Sequence, residues 1–257
     1  MESTQDRAPT PPYPRPPIIE AVFAFHFLHP LDRRTIERLA SSLKKKFPAQ
    51  TRIMDVTIDT ARATVPHSVQ PNGYILRDAD NSLTLIIEPE ALSAARLPPY
   101  TTWEDLIDHA KSMWAKLKKV AGHPQLIRLS TRFINRIDIR SSQAAEQKSE
   151  KNSINLATYL QFGLTIPPAF ASLPLFSFSL SCHLGNTRDT LRHTIQVASV
   201  PSPLIDHTSL ILDIDVATTE AVPMLESEMW AIAQSLRVRK NEIFEASITD
   251  ATRRLFA

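Results

Sequence analysis

Four arginines stand at every fourth position of one segment, Arg128, Arg132, Arg136 and Arg140 in IRLSTRFINRIDIR. Read as a strand, the segment alternates. Ile127, Leu129, Thr131, Phe133, Asn135, Ile137 and Ile139 then share one face, and the arginines share the other with Ser130, Ile134 and Asp138. At ordinary strand rise successive arginines lie roughly 13 Å apart, which makes a linear row of guanidiniums. Guanidinium forks bind phosphate and carboxylate groups bidentately, so the row predicts recognition of a nucleic acid, a small acidic ligand or an acidic protein surface. The residues expected to carry this binding are Arg128, Arg132, Asn135, Arg136 and Arg140. Two other segments have comparable polar faces. Ser177, Ser179, Ser181 and His183 oppose Phe176, Phe178, Leu180 and Cys182, and Asp213 and Asp215 oppose Leu212, Ile214 and Val216. The competing expectation is structural: Asp138, Asp213 and Asp215 pair with the arginines across neighbouring strands, as opposite charges on a sheet commonly do.

Asp213 and Asp215 also raise the question of a metal, because period two points both carboxylates to one side, where hard oxygen ligands hold Mg²⁺. With arginines as charge stabilisers they would form a divalent-metal-dependent hydrolase or phosphate-processing centre. No histidine or third acid at ligand spacing accompanies them, so they are weak ligand candidates and no metal is expected. The eight histidines form no metalloprotease pattern, and no Gly-x-Ser-x-Gly elbow offers a serine nucleophile. The four glycines, Gly73, Gly122, Gly163 and Gly185, are far apart. Phosphate-cradling loops need clustered glycines, so a P-loop, a dinucleotide fingerprint and a kinase loop are excluded, and no cofactor is expected. No catalytic residue can be assigned, and the reading leans away from an enzyme.

The chain as a whole supports the same view. Its 29 Lys and Arg against 27 Asp and Glu leave a net charge of +2, so any basic site is local rather than a field over the surface. The single cysteine, Cys182, allows no internal disulfide and reads as a small buried hydrophobe. No apolar run spans a bilayer, and the N-terminus lacks the layout of a secretion signal. A cytoplasmic protein without membrane contact is expected. Residues 1–17, with prolines at 9, 11, 12, 14, 16 and 17, read as a flexible polyproline-like arm.

The elements that must position the arginines follow from periodicity. Ile18 to Phe27 alternates as a half-buried strand, with Ala21, Phe23, Phe25 and Phe27 on one face and Glu20 and His26 on the other. Asp32 caps a helix whose stripe is Ile36, Leu39, Ala40, Leu43 and Phe47. Strands are predicted at 53–65, 74–77 and 83–88, the last two joined as a hairpin through Asp78, Asp80 and Asn81. Thr101 and Glu104 form a capping box for a helix from Trp103 to about Val120. After Gly122 to Pro124 come a strand from Gln125 to Arg140, a short helix at 156–160, strands at 173–184, 190–200 and 209–217, and a long helix opened by Pro223. Trp103, Trp114 and Trp230 are expected in the core, and Arg237, Arg239 and Lys240 on a wet helix face. The result is an α+β fold of two successive βαβββα halves, with antiparallel sheets backed by helices and a long C-terminal helix. An N-terminal lobe (18–123) and a C-terminal lobe (124–257) pack as one unit.

Pro16-Pro17-Ile18-Ile19-Glu20-Ala21, Arg132-Phe133-Ile134-Asn135-Arg136-Ile137 and Phe244 through Ile248-Thr249-Asp250 carry a resemblance, supported by the spacing of Tyr100 and Trp103. In these segments the chain resembles a sporadically distributed bacterial family of uncharacterised proteins, from Pro16 to Phe256. Sporadically distributed families of this kind are associated with mobile or defence-related, toxin-antitoxin-like gene sets. That association implies a regulatory, partner-binding role. The sequence therefore points first to a non-enzymatic binding protein with a protein partner, and second to a nucleic-acid or phosphate-ligand binder acting through the arginine row. The oligomeric state is not legible.

Overall fold

A computed structural model describes residues 13–58, 66–140, 156–163, 178–185 and 190–257. The first half contains β1 (Ile18–Phe27), α1 (Arg33–Ser42), β2 (Ala49–Ile58), β3 (Pro66–Arg77), β4 (Leu83–Ile87), β5 (Ala91–Arg96) and α2 (Trp103–Ala121). The second contains β6 (Leu126–Arg140), α3 (Leu156–Tyr159), β7 (Ser179–Gly185), β8 (Leu191–Pro201), β9 (His207–Thr218), α4 (Glu226–Ser247) and α5 (Asp250–Leu255). The strands form one nine-stranded sheet in the order β2-β3-β4-β5-β1-β6-β9-β8-β7. All neighbours in it are antiparallel.

The two halves share this sheet through β1 and β6, which pair at its centre with Phe23 opposite Thr131 and Val22 opposite Arg132. In each half the first strand also pairs with the last, β1 with β5 and β6 with β9. The first half departs from the expected βαβββα order because it has an additional strand, β5. Its sequence, ALSAAR, is poor in the β-branched and aromatic residues that mark a strand. The small side chains serve packing: Ala94 and Ala95 are fully buried beside β1. A tight turn makes the β4–β5 connection, with Glu88 and Ala91 exchanging backbone hydrogen bonds of 2.9 and 3.4 Å.

The helices set which face is dry. Phe25 stacks on Trp114 of α2 at 5.0 Å, Phe23 meets Trp103 at 6.3 Å and Trp230 of α4 at 6.0 Å, and Phe133 stacks on Trp103 at 6.3 Å. Each fully buried phenylalanine of this kind contributes about 2 kcal/mol or more by leaving water. The caps are local. Asp32 Oδ1 accepts from the Thr35 amide at 3.0 Å. The α2 cap is Thr102, accepting from Asp105 N at 3.1 Å, one residue beyond the expected Thr101. The long helix begins at Glu226 rather than Pro223 and stops at Ser247, and Thr249 caps the separate helix α5. No helix among the described residues is long and apolar enough to cross a membrane.

Part of the proline-rich segment is docked. The Arg15 amide donates to the Phe256 carbonyl at 3.1 Å, and the Arg136 amide donates to Pro17 O at 2.9 Å. The Tyr13 ring meets Phe256 at 5.3 Å, and its hydroxyl donates to Glu245 at 2.9 Å. Residues 13–17 are therefore held against the C-terminus by an aromatic anchor and backbone bonds that a proline count does not reveal. The rest of the expected arm, residues 1–12, lies outside the described residues.

Candidate functional site

From Leu129 to Arg140 the alternation on β6 is as the sequence predicts; Ile127 departs from it, 47% exposed with Leu126 buried beside it, where the pairing with β1 shifts register between His26 and Phe27. Leu129, Thr131, Phe133, Ile137 and Ile139 are buried on the helix side, while Arg132 and Arg140 are exposed on the other. The register builds that second face across the sheet. Arg132 lies opposite Val22 on β1 and Asp215 on β9, Asp215 opposite Thr194 on β8, and Thr194 opposite His183 on β7. The next row runs from Ile134 through Asp213 and Gln196 to Ser181. Ser179, Ser181, His183, Asp213, Asp215 and the four arginines thus share one broad polar face. Ser177 lies outside the described residues.

The arginines do not share one condition. Arg132 is bidentate on Asp213, with Nε at 2.9 and 3.0 Å and Nη2 at 2.6 Å. The pairing is diagonal, since Asp215 and not Asp213 faces Arg132 in the register. Asp213 is nearly buried, its side chain 7% exposed, so both oxygens are taken by one guanidinium. Arg136 Nε donates to Asp138 at 3.1 and 3.2 Å, and Asp138 also accepts from the Ser209 hydroxyl. Arg128 meets no carboxylate among the described residues; its Nη2 lies 3.0 and 3.2 Å from the two ring nitrogens of His26. Arg140, at the strand end, has no ion pair among the described residues. The row of four free guanidiniums is therefore two neutralised pairs flanked by two cations.

Asn135 does not join them. It is 2% exposed on the helix side, where Nδ2 donates to the Leu212 carbonyl at 3.0 Å, so it serves the sheet interior and not an exposed surface. Lys240 corrects a second expectation. It is buried, with Nζ 3.9 Å from the Phe133 ring centroid, and burial together with Arg237 pushes its pKa down to about 7. Arg237 pairs with Glu104 at 2.7 Å and Arg239 with Glu242 at 3.0 Å. The helix turns Lys240 inward because it lies one turn beyond Leu236, which is fully buried on the same stripe.

Asp213 and Asp215, the two weak ligand candidates, have other surroundings to answer to. Asp213 is held by Arg132, and Asp215 is raised in pKa by burial, which outweighs the opposing pull of Arg128 and Arg132. Among the described residues no group of three or more histidine, cysteine, aspartate or glutamate side chains could hold a metal ion. The two histidines of the β7–β8 hairpin face opposite ways: His183 contacts the Thr194 hydroxyl at 3.2 Å on the polar face, and His193 lies opposite Leu184 and is buried.

Two residues absent from the sequence-based set belong to this face. His26 contacts Ser130 Oγ at 3.2 Å, and burial with the charges of Arg128 and Arg192 lowers its pKa to about 4, so it is neutral near pH 7. Arg192 on β8 faces Ala217 in the register. Strand alternation alone puts His26 on a polar face, but its meeting with Arg128 depends on the sheet order. The segments singled out by resemblance also lie together: Ile18 pairs with Asn135, Glu20 with Ile134, and Tyr13 bridges to Phe244 at 6.3 Å. A comparison with family models finds no match, and a comparison with curated proteins finds none either.

Proposed function

We propose that this chain is a non-enzymatic binding protein that recognises a protein partner through the polar face of its sheet. A regulatory role in the cytoplasm, of the kind implied by the resemblance to mobile or defence-linked gene sets, fits this reading. The observation that carries it is the pairing of charge on that face. Arg132 with Asp213 and Arg136 with Asp138 present mixed donors and acceptors at little net charge, which suits the rim chemistry of a protein interface. A polyanion needs uncompensated cations, and two of the four arginines are already spoken for. Among the described residues the aromatic contacts between α2 or α4 and strands β1 and β6 fall on the opposite face. The finer architecture proposed is a saddle of two related α+β halves, joined where β1 meets β6.

The experiment is affinity purification from the native host, with native mass measurement of what co-elutes at low and high salt. A stoichiometric protein retained at high salt is the expected result. Nucleic acid shed as salt rises would replace this reading with the arginine-row one.

A further inference from the structure

At one end of the polar face a cleft of about 540 Å³ opens between β1, β6 and β8. Its walls include His26, Leu28, Ile127, Arg128 and Arg192, with Glu90 on its rim. We infer that this cleft binds a small organic anion, a phosphate or carboxylate head carried on an apolar body. The site lies beyond the partner-binding reading and does not depend on it.

Three features carry the inference. The first is charge without a partner. Among the described residues neither Arg128 nor Arg192 makes an ion pair, and Arg128 Nε is buried with no hydrogen-bond partner. A buried guanidinium N–H left without an acceptor is costly, and an oxyanion supplies the acceptor. The second is the local balance. Asp215 is shared among Arg128, Arg132 and Arg192, while Asp213 and Glu20 act on Arg132, Asp213 bidentately. Glu90 stands at the exposed rim. Neutral His26 accepts from Arg128 and orients it without cancelling its charge.

The third is the wall. Thr218 and Thr219 line the cleft beside the cations, with Phe27 and Pro30. On the outer side Leu28 and Ile127 are 42% and 47% exposed, large apolar groups next to the cations. A volume of this order holds a ligand larger than a bare ion, and the pairing of an apolar wall with a few convergent polar groups is the usual make-up of a small-molecule site.

The test is calorimetric titration of the full chain with three probes, inorganic phosphate, phenyl phosphate and benzoate, at one ionic strength. Saturable binding of an aromatic anion is expected, at least tenfold tighter than inorganic phosphate. Preference for phenyl phosphate assigns a phosphate head, and preference for benzoate a carboxylate. Arg192→Gln, at an exposed position, and Arg128→Gln should each weaken binding at least tenfold, while Arg140→Gln at the far end of β6 leaves it unchanged. Absence of saturable binding for all three probes would overturn the inference. So would equal affinity in wild type and Arg192→Gln, or equal losses in the Arg192 and Arg140 variants, which would mean diffuse charge attraction. Because the readout is ligand binding by the purified chain, its failure leaves the protein-partner reading untouched.

Discussion

The two faces of β6 carry alternate residues of one strand, yet they solve opposite problems. On the helix side Leu129, Phe133, Ile137 and Ile139 are sealed under α2 and α4, and even the polar Asn135 and Lys240 are absorbed, one by a backbone carbonyl and the other by an aromatic ring. On the other side the arginines face outward, and two of the four are answered by nearby carboxylates. Burial fixes the first face by volume, so its energetics follow packing. Pairing fixes the second, so its energetics follow which partner is removed. The difference also explains where function can reside: a sealed face has nothing to offer a ligand, whereas a face of paired and unpaired charges can be recognised.

The largest effect should come from breaking the dry side. Phe133→Ala removes a ring that contacts Trp103, Tyr100 and Lys240, and should cost about 3–5 kcal/mol in the urea unfolding free energy. A loss under about 1 kcal/mol would mean that the helices do not seal this face. Next is the wet side. Arg132→Met strands the nearly buried Asp213 and should cost about 2 kcal/mol, while adding Asp213→Leu should recover part of that loss. If the double variant were as unstable as the sum of the two single ones, the two residues would not act as a pair.

Legibility followed the same division. The alternation of β6 and the strand β1 could be read because period two is a local signal, and the helices because their stripes are local too. β5 could not, since alanines chosen for close packing under α2 carry no strand signature. Nor could the Arg132–Asp213 diagonal or the meeting of His26, Arg128 and Arg192, because each depends on the order β1-β6-β9-β8 and on register. Lys240 was misplaced for a related reason. In a helix of low amphipathicity with charges on several faces, only the tertiary packing decides which cation turns inward.

A smaller effect sharpens the account of Lys240. Its folded pKa of about 7 lies below the ordinary value of 10.5, so between these values the unfolded chain binds more protons and stability rises with pH. Below about pH 7 the full penalty is present. Urea midpoints at pH 7.5 and 9.5 should therefore differ in the wild type, by less than about 1.4 kcal/mol per pH unit, the ceiling for one proton. Lys240→Met should flatten that slope. An unchanged slope would place the titration elsewhere. The smallest effect belongs to the solvent-facing pair on α1. Arg33→Ala, which removes the 2.9 Å contact with Glu37, should change stability by less than about 0.5 kcal/mol, and a larger loss would show that surface pairs matter here as much as the paired sheet face.

The claim at the centre is that the polar face of the sheet is the surface a protein partner recognises. It is tested most directly by repeating the affinity purification with a variant that alters only that face, Ser181→Glu with Gln196→Glu, both exposed and opposite one another on β7 and β8. The account predicts that the wild type retains a stoichiometric protein at high salt and that the folded variant loses it. A partner held equally well by both proteins would contradict it.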